Sequence, residues 1–310
     1  MNRVVFLLLL LCPLAQAYSL KPIQITEHVY VFQGRTEHFS RDNQGNIVNT
    51  GFVVTGAGVV ILDTGPSLKY GQAMLDAIAT ITDEPVVKII NTHHHPDHYF
   101  GNQAFDAAPT FATASNQSQM QTSGDGYADG LYYLVGSAMV GTDPAPAQFS
   151  LNSGSEKIGN VTLKYHVFTG HTFEDLVIAV VEDKLIFAGD LVFGDRAPTT
   201  PHADIELWIK SLDKLRALEF RVLIPGHGNI ASNHSAMQPI DDTKAYLTWL
   251  QRHLLLSAEN GTHPAQLIAE GPASPWDQLG AMPDEYERSI SHLYPEMLRN
   301  TLQAPIWQER

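Results

Sequence analysis

Thr92-His93-His94-His95-Pro96-Asp97-His98 is the stretch whose reading decides the fold and the chemistry of this chain. It places four strong metal ligands, His93, His95, Asp97 and His98, within six residues. The His-x-His spacing turns two imidazoles to one side of a tight loop, and a carboxylate and a third imidazole follow at once. Such a loop can direct the first pair toward one metal ion and the second pair toward a neighbour. Imidazole suits zinc, iron, nickel or copper, and an added carboxylate favours a hard, Lewis-acidic site. A lone histidine after a strand is more often a satisfied structural residue. A run this dense is costly to keep for structure alone. His94 lies between two ligands and is expected to point away from them.

Upstream, Val86 to Asn91 reads as a short buried strand that runs straight into the cluster. Before it, Gln24 to Gln33 alternates around Val29, Val31 and Phe32 and reads as a strand. Val48 to Thr55 and Gly58 to Asp63 read as a hairpin turned at Gly56-Ala57-Gly58. Leu68 to Thr82 carries Met74, Leu75, Ile78 and Ile81 at helical spacing. Strands, helix, strand and loop in that order predict an α/β layered fold.

Downstream the pattern repeats. Val161 to Phe168 alternates as a strand and delivers Gly170-His171. Leu176 to Val181 and Lys184 to Ala188 form a hairpin that delivers Gly189-Asp190. Ile205 to Leu218 is an amphipathic helix, and Val222 to Ile224 is a strand that delivers Pro225-Gly226-His227. Each candidate follows the end of a strand, where α/β folds place their sites. His171, Asp190 and His227 could complete the ligand set. A carboxylate can bridge two metals through its two oxygens, which a histidine cannot do cleanly, so Asp190 is the natural bridge.

From about Met237 the character changes to a helical C-terminal extension, residues 237–310, with helices expected at Asp241 to Leu256 and Glu285 to Leu302. At the other end Arg3, the apolar run Val4 to Leu11 and Ala15-Gln16-Ala17 read as an export signal over residues 1–17. The mature chain would then begin near Tyr18, lie in the periplasm or outside the cell, and carry its main domain over residues 18–236. No later segment is long and apolar enough to cross a bilayer. Cys12 is the only cysteine and falls inside the signal, so a metal in the mature chain must be held by His, Asp or Glu. The formal charge of -14 becomes more negative by one when Arg3 leaves. That surface excludes nucleic acid and anionic lipid as partners and leaves neutral or zwitterionic small molecules.

The chain resembles the metallo-β-lactamase superfamily. The likeness rests on Leu62-Asp63-Thr64-Gly65, on Thr92 to His98, on Gly170-His171-Thr172, on Gly189-Asp190 and on Pro225-Gly226-His227-Gly228. These motifs occur in the family's order between about Ile23 and Ile230. The resemblance implies an αβ/βα four-layer sandwich with a dinuclear site along one edge. His93, His95 and His171 would hold the first metal, Asp97, His98 and His227 the second, with Asp190 bridging and Asp63 supporting the site from beneath. The implied cofactor is two Zn2+, with iron as the alternative. The cysteine ligand of common β-lactamase subclasses is missing, which leaves the glyoxalase II-like branch, the persulfide dioxygenases and the histidine-rich lactamase subclass. Asn46 to Thr50, Asp63 to Ser67, His98 to Asn102 and Asp195 to His202 are similar to the exported quinoprotein relay system zinc metallohydrolases and SoxH-type proteins. That likeness implies association with periplasmic quinoprotein dehydrogenases.

The expected function is hydrolysis of an ester, thioester or amide of a small-molecule substrate by a metal-bound hydroxide. Asp97 is the expected catalytic residue, orienting the nucleophile or moving its proton. Arg196 and His202, in a proline-rich loop after Asp190, are the expected substrate contacts, the arginine for a carboxylate. His38, Arg41 and Asn43 lie in a polar loop that could overhang the site. Three other readings stay open: β-lactam hydrolysis, oxidation at a mononuclear iron held by His93, His171 and Asp190, and a non-catalytic periplasmic metal-site protein. The glycosylation-type triplets at Asn116, Asn160, Asn233 and Asn260 are read as chance, because the resemblance is bacterial.

Overall fold

β1 (Ile23–Gln24), β2 (Val29–Phe32), β3 (Thr50–Val54) and β4 (Val59–Leu62) form an antiparallel run in the computed structural model, which describes residues 18–303. The expected export signal lies outside the described residues. β5 (Val86–Ile90), β6 (Thr110–Ala112) and β7 (Phe149–Ser150) extend the sheet in parallel, to seven strands in sequence order. The single strand expected from Gln24 to Gln33 is instead two. The chain turns at residues 25–28, so that Ile23 pairs with Val31.

A second sheet holds β8 (Gly154–Ile158), β9 (Val161–Phe168), β10 (Asp175–Val180), β11 (Leu185–Gly194), β12 (Val222–Gly228) and β13 (Ala231–Ser232), again in sequence order. Its pairs are antiparallel except β11 with β12, which run parallel. The helices are α1 (Leu68–Ala79), α2 (Pro96–Tyr99), α3 (Ala114–Val135), α4 (Ile205–Arg216), α5 (Gln238–Glu259), α6 (Pro264–Glu270) and α7 (Asp284–Gln303).

Side-chain alternation sorts these elements into layers. In β4, Val60 and Leu62 face the second sheet and pack with Leu163, Leu176, Ile178 and Phe187. Val59 and Ile61 face the other way, onto Tyr70, Met74 and Ile78 of α1. β4 is therefore buried on both faces, as its unbroken apolar run requires. Ser67 starts α1 by accepting a hydrogen bond from the Tyr70 backbone N–H at 3.2 Å.

The outer face of the second sheet is covered by Trp208, Leu212 and Leu215 of α4, by Leu247, Leu250 and Leu254 of α5, and by Tyr286 and Ile290 of α7. The result is helix on sheet on sheet on helix. The C-terminal helices share one hydrophobic cluster with β11 and α4, so they complete the outer layer of the sandwich.

Candidate metal centre

The loop after β5 and the ends of β4, β11 and β12 meet at one edge of the sandwich. Thr92 joins the two sheets there, its carbonyl accepting the Leu176 N–H at 2.9 Å. His93 and His95 lie in this loop, and Asp97 and His98 lie on the single turn of α2. Asp190 and His227 lie within their strands rather than beyond them, because β11 runs on to Gly194 and β12 to Gly228. The two strands shift register between Phe187 and Phe193, which turns Asp190 inward. Gly226 permits their close approach: a Cβ on it would lie 2.0 Å from Asp190 Oδ1.

Three sets of ligand-type atoms result among the described residues, and within each the atoms lie within 4.8 Å of one another. His94, His95 and His202 form one set. The other two are His93, His95, His171 and Asp190, and Asp97, His98 and His227. Asp190 stands between them. Its Oδ1 is 3.2 Å from His98 Nε2, and its Oδ2 is 3.2 Å from His227 Nε2 and 3.4 Å from His171 Nε2. His93 Nε2 is 3.9 Å from Asp190 Oδ2, and Asp97 Oδ2 is 3.3 Å from His227 Nε2.

The far nitrogen of each imidazole is tied elsewhere. His171 Nδ1 donates to the Thr199 carbonyl at 3.0 Å, and His227 Nδ1 donates to the Ile47 carbonyl at 2.7 Å. His98 Nδ1 lies 2.8 Å from Asp63 Oδ2, and His93 Nδ1 lies 3.1 Å from Thr92 Oγ1. His95 is turned the other way, with Nε2 2.8 Å from His202 Nδ1 and Nδ1 2.9 Å from His171 Nε2. Bonds of this kind fix the ring and its tautomer and leave the inner nitrogen's lone pair for a metal.

Two observations show that these residues fit metal ions. First, His93 Nε2, His98 Nε2 and Asp190 Oδ1 are buried and make no aligned hydrogen bond among the described residues, although His98 Nε2 and Asp190 Oδ1 lie 3.2 Å apart. Such orphans are costly, and here they face one space. Second, the centre gathers positive charge. Burial alone would push the Asp190 carboxyl up, but His227 and His98 hold it well below the carboxylate range. Asp97 is lowered as well, since His98 and His227 outweigh its burial. His98 is raised well above the imidazole range, because Asp190, Asp63 and Asp97 outweigh its burial. His171, by contrast, is pushed down to about 4 by burial. The carboxylates of Asp190, Asp97 and Asp63 thus favour positive charge at this point, which a divalent cation would supply.

The supports are partly new. Asp63 was expected beneath the site, and it accepts the Thr92 N–H and hydroxyl, each at 2.8 Å, as well as facing His98. Asp175 was not expected. It accepts the Thr172 N–H and hydroxyl, which fixes the turn carrying His171, and burial raises it to about 7. The carbonyls of Thr199 and Ile47 carry no side-chain signal, so only the folded chain reveals them. His94, expected to point away from the ligands either beside the site or onto the surface, is buried, its Nδ1 3.1 Å from Asn116 Oδ1.

A cleft of about 280 Å³ opens over this edge, with Asp97, Asp190 and His227 at its floor. His202 lines it but holds the far side of His95. Arg196 also lines it, yet it is buried and its Nη2 lies 3.1 Å from Glu285 Oε1 on α7. His38 reaches the cleft, whereas Asn43 organises its own loop through the carbonyl of His38 and the N–H groups of Ser40 and Gly45. Arg41 does not line the cleft; its side chain passes beside Gly136 at the end of α3.

Comparison with known proteins places this architecture. The chain is 21% identical over 249 residues to the linear primary-alkylsulfatase of Pseudomonas sp., covering 68% of this chain and 47% of that protein. It is 24% identical over 216 residues to the atrochrysone carboxyl ACP thioesterase of Aspergillus fumigatus, covering 68% of this chain and 60% of that one. The chain thus spans about half the length of these relatives. The metallo-beta-lactamase from Pontibacter korlensis superposes with a TM-score of 0.60 at 21% identity, over 74% of this chain and 99% of that structure. Residues 44–227 match the family described as the metallo-beta-lactamase superfamily, more than half of the sequence, and the chain belongs to that superfamily.

Proposed function

We propose that the chain is an exported, zinc-dependent hydrolase of small esters, thioesters or amides. The observation that carries this is the convergence of five imidazole nitrogens and two carboxylates on one buried space, with the far nitrogen of each ring tied. His93, His95 and His171 would hold one ion, Asp97, His98 and His227 a second, with Asp190 between them. Bound zinc makes hydroxide available near neutral pH and polarises a carbonyl oxygen.

The chain's own groups do the rest. Asp97 lines the cleft and stays ionised, so it can orient a water molecule and accept its proton. Asp63, Thr199 and Ile47 keep three imidazoles from rotating. Phe39, Ile47 and Leu131 give the cleft an apolar side that limits water around a bound substrate. The thioesterase and sulfatase named above act on acyl thioesters and alkyl sulfates by their names, which supports an ester-type substrate. Export follows from the reading of residues 1–17, and the quinoprotein association remains a reading of sequence likeness; fractionation of the native host tests the first.

The test of function is steady-state turnover of metal-loaded protein on a panel of esters, thioesters and a chromogenic cephalosporin. At least one class is hydrolysed, and Asp97→Asn lowers kcat by about 10²-fold or more. Equal turnover by the variant would remove Asp97 from the chemistry.

A further inference from the structure

α3 carries three glycines in its interior, Gly124, Gly126 and Gly130. Each costs a helix about 1 kcal/mol relative to alanine. Packing explains Gly124, where a Cβ would meet Pro144 at 2.8 Å. It does not explain Gly126 or Gly130, where a Cβ would meet nothing within 4 Å among the described residues. These two lie one turn apart on one face of the helix, and both line the cleft. Side chains there would fill the cleft without disturbing the protein. Leu131 and Leu134 flank them, so this wall is open and apolar.

The wall contributed by α7 is different. Arg196 and Arg288 share one carboxylate, Glu285, with Arg288 Nη1 at 3.1 and 3.2 Å from its two oxygens. Two guanidinium charges against one carboxylate leave a surplus cation. Arg196 is closed off, but the Arg288 side chain is 40% exposed and lines the cleft. A local cation in a chain of net charge -14 stands out against the surface around it. The same cleft ends on buried Asp190, whose Oδ1 makes no aligned hydrogen bond among the described residues.

We propose that the cleft selects an amphipathic substrate, with an apolar chain laid along the Gly126–Gly130 face and an anionic group bound by Arg288. This names a substrate class for the hydrolase proposed above and rests on that reading. It also departs from the whole-chain charge, which favours neutral or zwitterionic ligands: recognition is set by the cleft wall and not by the surface average.

Two measurements test it. In turnover, S-octanoyl-3-mercaptopropanoate is preferred over neutral S-octanoyl-N-acetylcysteamine by about tenfold in kcat/KM. Arg288→Ala brings that ratio to about one. Gly126→Leu and Gly130→Leu reduce kcat/KM for octanoyl substrates about tenfold or more while the melting temperature holds or rises, since leucine is the better helix former. In binding, calorimetry with octanesulfonate, which is not hydrolysed, shows affinity that Arg288→Ala and Gly126→Leu each weaken about tenfold. If no ester is turned over but octanesulfonate binding behaves this way, the hydrolase reading fails and the cleft assignment stands. If esters are turned over with no anionic preference, and both glycine variants match the wild type, the cleft assignment is overturned and the hydrolase reading stands.

Discussion

Arg196 Nη2 lies 3.1 Å from Glu285 Oε1, and both side chains are almost wholly inaccessible. The contact joins the loop after β11 to α7, so the C-terminal helix reaches the candidate site directly. It also changes the meaning of Arg196. An arginine expected to meet a substrate carboxylate already has one from its own chain.

Glu285→Ala would leave the Arg196 guanidinium buried against fewer partners. It should cost about 3–5 kcal/mol in denaturant unfolding. The same pair has a pH signature. Burial pushes the Glu285 carboxyl up, but Arg196 and Arg288 outweigh it and hold it below its ordinary 4.5. A depressed carboxyl stabilises the fold above its unfolded value and loses that contribution as pH falls through the folded one. The stability gap between wild type and Glu285→Gln should therefore be full at pH 7 and close below about pH 4.5. A gap that persisted in acid would contradict the ion pair as its source.

Gly226→Ala places a methyl group 2.0 Å from Asp190 Oδ1, a contact that something must relieve. Overpacking of this kind costs about 1–3 kcal/mol or more. The specific consequence is displacement of Asp190. Metal content should fall along with activity, measured on protein that still melts cooperatively. Wild-type metal content in this variant would separate Gly226 from the site.

Asp63 fixes the His98 ring and the Thr92 backbone together. Asp63→Asn should weaken zinc binding about 10–100-fold in a competition titration with a chromogenic chelator. An unchanged affinity would reduce Asp63 to a loop support.

Much of this was legible before folding. His93, His95, Asp97, His98, His171, Asp190 and His227 are all drawn to one space, because strand ends in a layered fold converge and short ligand spacings survive small errors in strand boundaries. The missing pieces have physical reasons. Thr199 and Ile47 act through carbonyls, which every residue has. Glu285 is 89 residues from its partner Arg196, beyond any local pattern. α3 escapes notice because its buried positions include Asn116 and Gly124 and it lacks an apolar stripe. The break at residues 25–28 hides inside an alternation that one strand or two would satisfy equally.

Zinc should stabilise the fold. At a hundred times its Kd, a ligand specific to the folded state contributes about 2.7 kcal/mol, read as a rise in melting temperature. His93→Ala should lose most of that rise. The gain should fade as pH is lowered, because Asp190 and its neighbours raise His98 and His227 against their burial, and those protons compete with the metal. A zinc effect equal in His93→Ala would point to a different site.

The most direct measurement is the metal content of the purified protein, paired with hydrolysis before and after chelation. Two zinc ions per chain are expected, with loss of turnover on chelation and recovery on adding zinc back. Metal-free protein that hydrolyses the same substrate at the same rate would contradict that expectation, as would a single iron accompanied by oxygen consumption.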